Sequence, residues 1–248
     1  MEYQQPYSSF ATSAAAAPTT PPHSMPVAVV GPQYCCPHPV DLAIVGKIRT
    51  FAKKFTVTDL NSNAIFEVQA SLLSLHGHQV IRDAAQNPVV TLRGKIMTMH
   101  DRWQAFRGDS SDPKDLIFTV KRSSLIQLVR IELDVFLASN TSEQVCDFKI
   151  KGSWWGRSCV VYAGESNTIV AQMHKSIDIA SNKQNFMVTV HPNVDSAFIV
   201  ALILILDGII GSRVSRISFF GFLSSFTATI DVIVRNQREL KGAYGSQP

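Results

Sequence analysis

The stretch Ala197–Leu206 (AFIVALILIL) is apolar at every position, and this leaves the chain few ways to fold. A helix that is apolar all round belongs inside a protein core or inside a bilayer. A helix of that length rises only ~15 Å, whereas a membrane span needs about 20 residues. Asp207 interrupts the wider window 194–210, which is a marginal span at best. Asp195 or Asn193 supplies an N-cap, with Pro192 just ahead, so the pattern predicts a buried helix over about 194–207. Such a helix needs an apolar enclosure from the rest of the chain.

The preceding residues read as strands that could build one. In Leu125–Leu137, Val129, Ile131, Leu133 and Val135 alternate with Arg130, Glu132 and Asp134, which is period two. Cys146, Phe148 and Ile150 alternate with Asp147, Lys149 and Lys151 in the same way. Turn chemistry at Asp59–Asn63, Asp83–Pro88, Gly108–Pro113 and Gly164–Asn167 separates further short apolar runs. About a dozen strands at this spacing predict a closed barrel or a sandwich. Residues 1–39 are rich in Ala, Ser, Thr, Pro and Gln and have little to bury, so they are expected to form a disordered tail, with order beginning near Val40.

Several stretches together resemble the LURP-one-related (LOR) family of plant proteins. Among them are NPVVTLR (87–93), HDRWQAFRG (100–108), CDFKIKGSWWGRSCVVYAGES (146–166) and VTVHPNVDSAFIVALILILD (188–207), in the family's order over residues 40–207. The resemblance implies a mainly β, tubby-like fold: a closed antiparallel β-barrel of about twelve strands around a central hydrophobic C-terminal α-helix. It also implies a link to plant defence signalling. The chain departs from the family pattern after Asp207, where an atypical extension, 208–248, carries the apolar segment Ile217–Ile230. Ser176–Asn185 is also shortened or altered relative to the family.

The chemistry legible in the sequence is sparse. No GxSxG elbow, Walker loop or GxGxxG is present, and the cysteines at 35, 36, 146 and 159 form no CxxC pair. The expectation is therefore no enzyme, no cofactor and no metal site. His76 with His78 reads as a polar strand edge, and His100-Asp101 as a turn. The net charge of +4 is too small and too scattered for a nucleic-acid footprint. Four cysteines do not make a disulfide scaffold, and the N-terminus lacks a secretory pattern, so the expected address is intracellular. The compartments considered are the cytoplasm, plasma membrane and nucleus.

The basic residues carry what functional signal there is. Lys121 and Arg122 close one strand, and Lys149 and Lys151 share a face of another, near Arg157. These five are either a solvated face or a set of cations converging on a phosphoinositide headgroup. Cys35 and Cys36, just before the barrel, are either ordinary thiols or S-acylation sites. The functional expectation is a non-enzymatic regulator that binds membrane phosphoinositide or a protein partner. The alternative is a scramblase-like, lipid-moving membrane protein, which requires Ala197–Leu206 or Ile217–Ile230 to enter the bilayer.

Overall fold

The computed structural model describes residues 26–48, 52–71, 77–95, 102–123, 130–153, 158–178 and 183–209. Twelve strands run through them: β1 (Val40–Ile48), β2 (Ala52–Thr58), β3 (Ala64–Ser71), β4 (Gln79–Asp83), β5 (Pro88–Gly94), β6 (Trp103–Arg107), β7 (Leu116–Arg122), β8 (Arg130–Leu137), β9 (Phe148–Ser153), β10 (Ser158–Ala163), β11 (Ile169–Asp178) and β12 (Lys183–Val190). Each pairs with the next in sequence, and β1 pairs with β12, so the sheet closes on itself. Every ladder is antiparallel, which short hairpin connections permit. The helix, α1, is described over residues 196–209 and starts two residues later than expected.

The strand pattern follows from alternation. Ile131, Leu133 and Val135 are buried, whereas Arg130, Glu132 and Asp134 lie on the other face of β8. Register carries the inward set from strand to strand: Val120 faces Val135, Leu133 faces Ile150, and Ile150 faces Val161. A barrel of eight strands can fill its interior with its own side chains, but a wider one needs further filling. Here α1 supplies it. Ala197 to Leu206 are each no more than 2% exposed, and Phe198 packs edge-on to Phe118 and tilted against Phe148, at 5.1 and 4.9 Å between centroids. The run is apolar all round because wall surrounds it on all sides.

Both ends of α1 are tied to the barrel through charged groups. At the N-terminal end Asp195, fully buried, accepts the Phe198 N–H as an N-cap at 3.0 Å. Its other oxygen accepts the N–H groups of Val29, Val30 and Gly31 at 3.1, 2.7 and 3.0 Å. Burial pushes the Asp195 carboxyl above its usual range, and these backbone donors pull against that rise. The segment 26–39 is thereby strapped across one mouth. Val27 N–H donates to Asn193 C=O, Asn193 N–H to Cys36 C=O, Arg107 to Val30 C=O, and Tyr34 stacks on Phe66. This corrects the expected boundary at Val40. Order begins by residue 26, because Val30 and Tyr34 have apolar partners in the barrel and Asp195 satisfies the strap's donors. Residues 1–25 lie outside the described residues.

At the other mouth Lys53, on the inner face of β2, bonds Asp207 near the end of α1. An aspartate there opposes the helix dipole, and the lysine offsets it. Trp103 packs against Gly208 at this mouth, where an added Cβ would stand 2.7 Å from the indole, so a larger residue there requires the indole to shift. Among the described residues no helix is long and apolar enough to cross a membrane. Ala197–Leu206 fills the barrel and is not available to a bilayer, and Ile217–Ile230 lies outside the described residues.

Two substitutions test this reading. Leu204→Ala removes fully buried methyls and is expected to lower unfolding free energy by about 2–5 kcal/mol in urea titration, while Leu204→Asp abolishes folding. Asp195→Ala leaves four N–H groups without an acceptor and is expected to cost about 3 kcal/mol or more. Amide exchange at Val29–Gly31 should rise selectively; unchanged protection there would refute the strap.

Candidate functional site

A closed barrel filled by a helix leaves its outer wall as the place for chemistry. A cleft of about 340 Å³ lies on that wall, bordered by Arg102, Lys121, Arg122, Ser123, Asp134, Phe136, Glu143, Gln144, Cys146 and Glu165. Its roof is the connection from β8 to β9, residues 138–147, which folds back over the wall. Asn140 and Asp147 staple this loop. Asn140 Nδ2 donates to Val145 C=O and to Asp147 Oδ2, and the same Asp147 oxygen accepts the Leu137 N–H. Phe136, although on an outward position, is buried beneath the roof.

At one end of the cleft two cations meet one carboxylate. Arg102 donates through both terminal nitrogens to Glu143, at 2.9 and 2.6 Å, and Lys121 Nζ donates to the same carboxylate at 3.0 Å. Lys121 also lies 4.4 Å above the Phe136 ring. Burial alone would raise the Glu143 carboxyl, but the bonds and charges of Arg102 and Lys121 outweigh it and hold the group below its usual range. Glu143 adopts a left-handed backbone, φ 48°, unusual for a residue with a Cβ. Ser123 also borders the cleft, and its buried hydroxyl has no hydrogen-bond partner among the described residues.

At the other end acids surround a lysine. Lys149 Nζ lies 2.7 Å from Glu165 and 3.6 Å from Asp134, and the Cys146 thiol donates to Glu165 at 3.3 Å. Asp134, Cys146 and Glu165 place ligand atoms within 4.8 Å of one another, close enough to share an ion. A metal would have to expel both the Lys149 ammonium and the thiol proton. Burial first, then the Glu165 bond, pushes Cys146 up to about 12, so in this arrangement it is protonated.

The structure therefore brings Lys121, Arg122 and Lys149 to the border of one cleft or beside it. Lys121 and Lys149 are each neutralised by carboxylates. Arg122 is buried and paired in register with inward-facing Leu133, so it reaches the cleft from the interior side. Lys151 stands exposed on the wall, opposite Glu132 and 5.5 Å over the Tyr162 ring. Arg157 lies outside the described residues. Cys35 and Cys36 are half-buried in the strap. Burial, then Asp195 and Cys36, raises the Cys35 thiol. The strap and the Trp103 mouth are separated by the length of α1, ~20 Å at 1.5 Å per residue. A flat surface met by one mouth does not reach the other. Sequence reasoning missed Arg102 and Glu143, which are 41 positions apart and meet only through the folded-back loop.

A closed barrel with its interior filled by its own helix and a charged cleft on its wall is the class this geometry defines. Comparison places it: the LURP-one-related family profile matches residues 40–207, and the chain belongs to that family. It is 54% identical over 185 residues to protein LURP-one-related 15 of Arabidopsis thaliana, covering 73% of this chain and 85% of that one. Protein LURP1 of the same plant is 50% identical over 185 residues, covering 73% and 89%. An X-ray structure of an Arabidopsis thaliana protein superposes with a TM-score of 0.57 at 49% identity, covering 73% of this chain and 97% of the other.

Thiol reactivity tests the cleft's electrostatics. With Cys146 and Cys159 both raised to about 12, almost no thiolate exists at pH 8, so both should resist iodoacetamide in the native protein. Glu165→Gln removes the charge that helps to raise Cys146 and should speed its alkylation, read by mass spectrometry; an unchanged rate would contradict the assigned contact.

Proposed function

We propose that this LOR barrel is a non-enzymatic regulator that docks on membranes carrying phosphoinositide, in a plant defence setting. One observation carries the reading. The barrel interior is occupied by α1, and the cleft on the outer wall brings Arg102 and Lys121 together on one carboxylate, Glu143. Such a filled interior supports surface recognition over turnover of a small substrate, which needs a deep apolar pocket. Arginine and lysine together provide a planar fork and a point charge, a combination suited to phosphate oxygens. The tie to defence rests on the family resemblance, and LURP1 is among the similar proteins.

Vesicle co-sedimentation tests it. The protein should pellet with phosphatidylcholine vesicles containing a few mole per cent phosphatidylinositol bisphosphate and not with phosphatidylcholine alone. Added salt should weaken the binding, as for any charge-driven contact. A Lys121→Met/Lys151→Met variant that keeps its unfolding midpoint should lose most of it. Equal pelleting with neutral vesicles, or none with charged ones, would sink the lipid reading and leave a protein partner as the alternative.

A further inference from the structure

The carboxylate in the cleft has the geometry of a bound ligand. Two nitrogens of Arg102 and one of Lys121 converge on Glu143, a bidentate fork plus a point charge that any small oxyanion would satisfy. Glu143 is not part of the barrel wall. It arrives on the roof loop, flanked by the exposed residues Gln144 and Val145, and it holds a left-handed backbone. Non-glycine residues in that region carry about 1 kcal/mol or more of strain, which persists only where surroundings enforce it. Here the enforcing partners are the two cations and the Asn140 side chain, which accepts the Glu143 N–H at 3.2 Å.

The carboxylate also leaves the site incompletely used. The cleft continues past it, bordered by Ser123 and Gln144. A phosphate monoester carries more oxygens than a carboxylate and about −1.5 to −2 charges at neutral pH, so it satisfies the same two cations with oxygens to spare.

We infer that the Arg102–Lys121 clamp is a phosphate-monoester site and that Glu143 is its built-in competitor, displaced when the ligand binds. This deepens the headgroup reading above and rests on it for the ligand's source. The roof loop is then a latch: while Glu143 sits in the clamp the cleft is neutral, and its departure exposes two cations together.

Calorimetric titration of wild type, Glu143→Gln and Glu143→Asp with inorganic phosphate and with inositol trisphosphate tests the inference. Glu143→Gln should bind inositol trisphosphate about tenfold more tightly than wild type, a change of ~1.4 kcal/mol. Glu143→Asp, with its carboxylate drawn back by one methylene, should gain less, and it serves if the Gln variant does not fold. Adding Arg102→Leu to Glu143→Gln should erase the gain. Equal or weaker binding by both Glu143 variants would overturn the inference even if wild type binds phosphoinositide vesicles. A gain for the soluble phosphates with no vesicle binding by any variant would keep the clamp and discard the membrane as its source.

Discussion

Twelve strands make a ring too wide for the side chains of its own wall to meet in the middle, and everything else in this fold answers to that. The described strands present a mainly apolar inner layer, rich in Val, Ile, Leu and Phe, which without α1 would surround a void or water. The helix has the matching problem, since no face of it tolerates solvent. Each part solves the other's exposure, so neither is a stable unit alone. This mutual need explains why an internal charge such as Asp at position 204 differs in kind from a change on the wall's outer face. It also explains why the two ends of α1 carry charged anchors. Burial holds the helix inside but does not fix its depth or register. Asp195 with the strap at one mouth, and Asp207 with Lys53 at the other, set the axial position.

How much of this was legible in the chain follows the distance over which each signal acts. Alternation along β8 is local, and so is the all-round apolarity of Ala197–Leu206, so strands and plug could be read directly. The N-cap at Asp195 was legible for the same reason. Its three further bonds to Val29, Val30 and Gly31 were not, because they join residues more than 160 positions apart. The strap was hidden by its composition. Pro, Gly and Ala suggest disorder, and only the presence of a buried acceptor in the mouth turns them into ordered backbone.

The cleft shows the same limit. Lys121, Arg122 and Lys149 stood out as cations, but charge in a sequence says nothing about who neutralises it. Adjacent strand residues face opposite ways, so Lys121 and Arg122 could not share a face, and Arg122 is buried as that rule requires. What alternation could not show is that the loop 138–147 doubles back to bring Glu143 to Lys121 and to Arg102. The signal for it was at most the acidic, turn-rich SNTSEQVCD itself.

A closed barrel has no free edge, so it cannot recruit a partner by adding a strand. Recognition must come from side chains on the wall or from loops, and on this wall the strongest cations are already compensated. That arrangement changes what selectivity means. An open basic patch attracts any anion and weakens steadily with salt. A clamp closed on an internal carboxylate responds only to an anion that makes more bonds than the carboxylate does, and it pays for the exchange with a moved loop. Both outcomes use the same cations, so a charge count cannot separate them. The difference lies in Glu143, which arrives on the connection between β8 and β9 and not on the barrel wall.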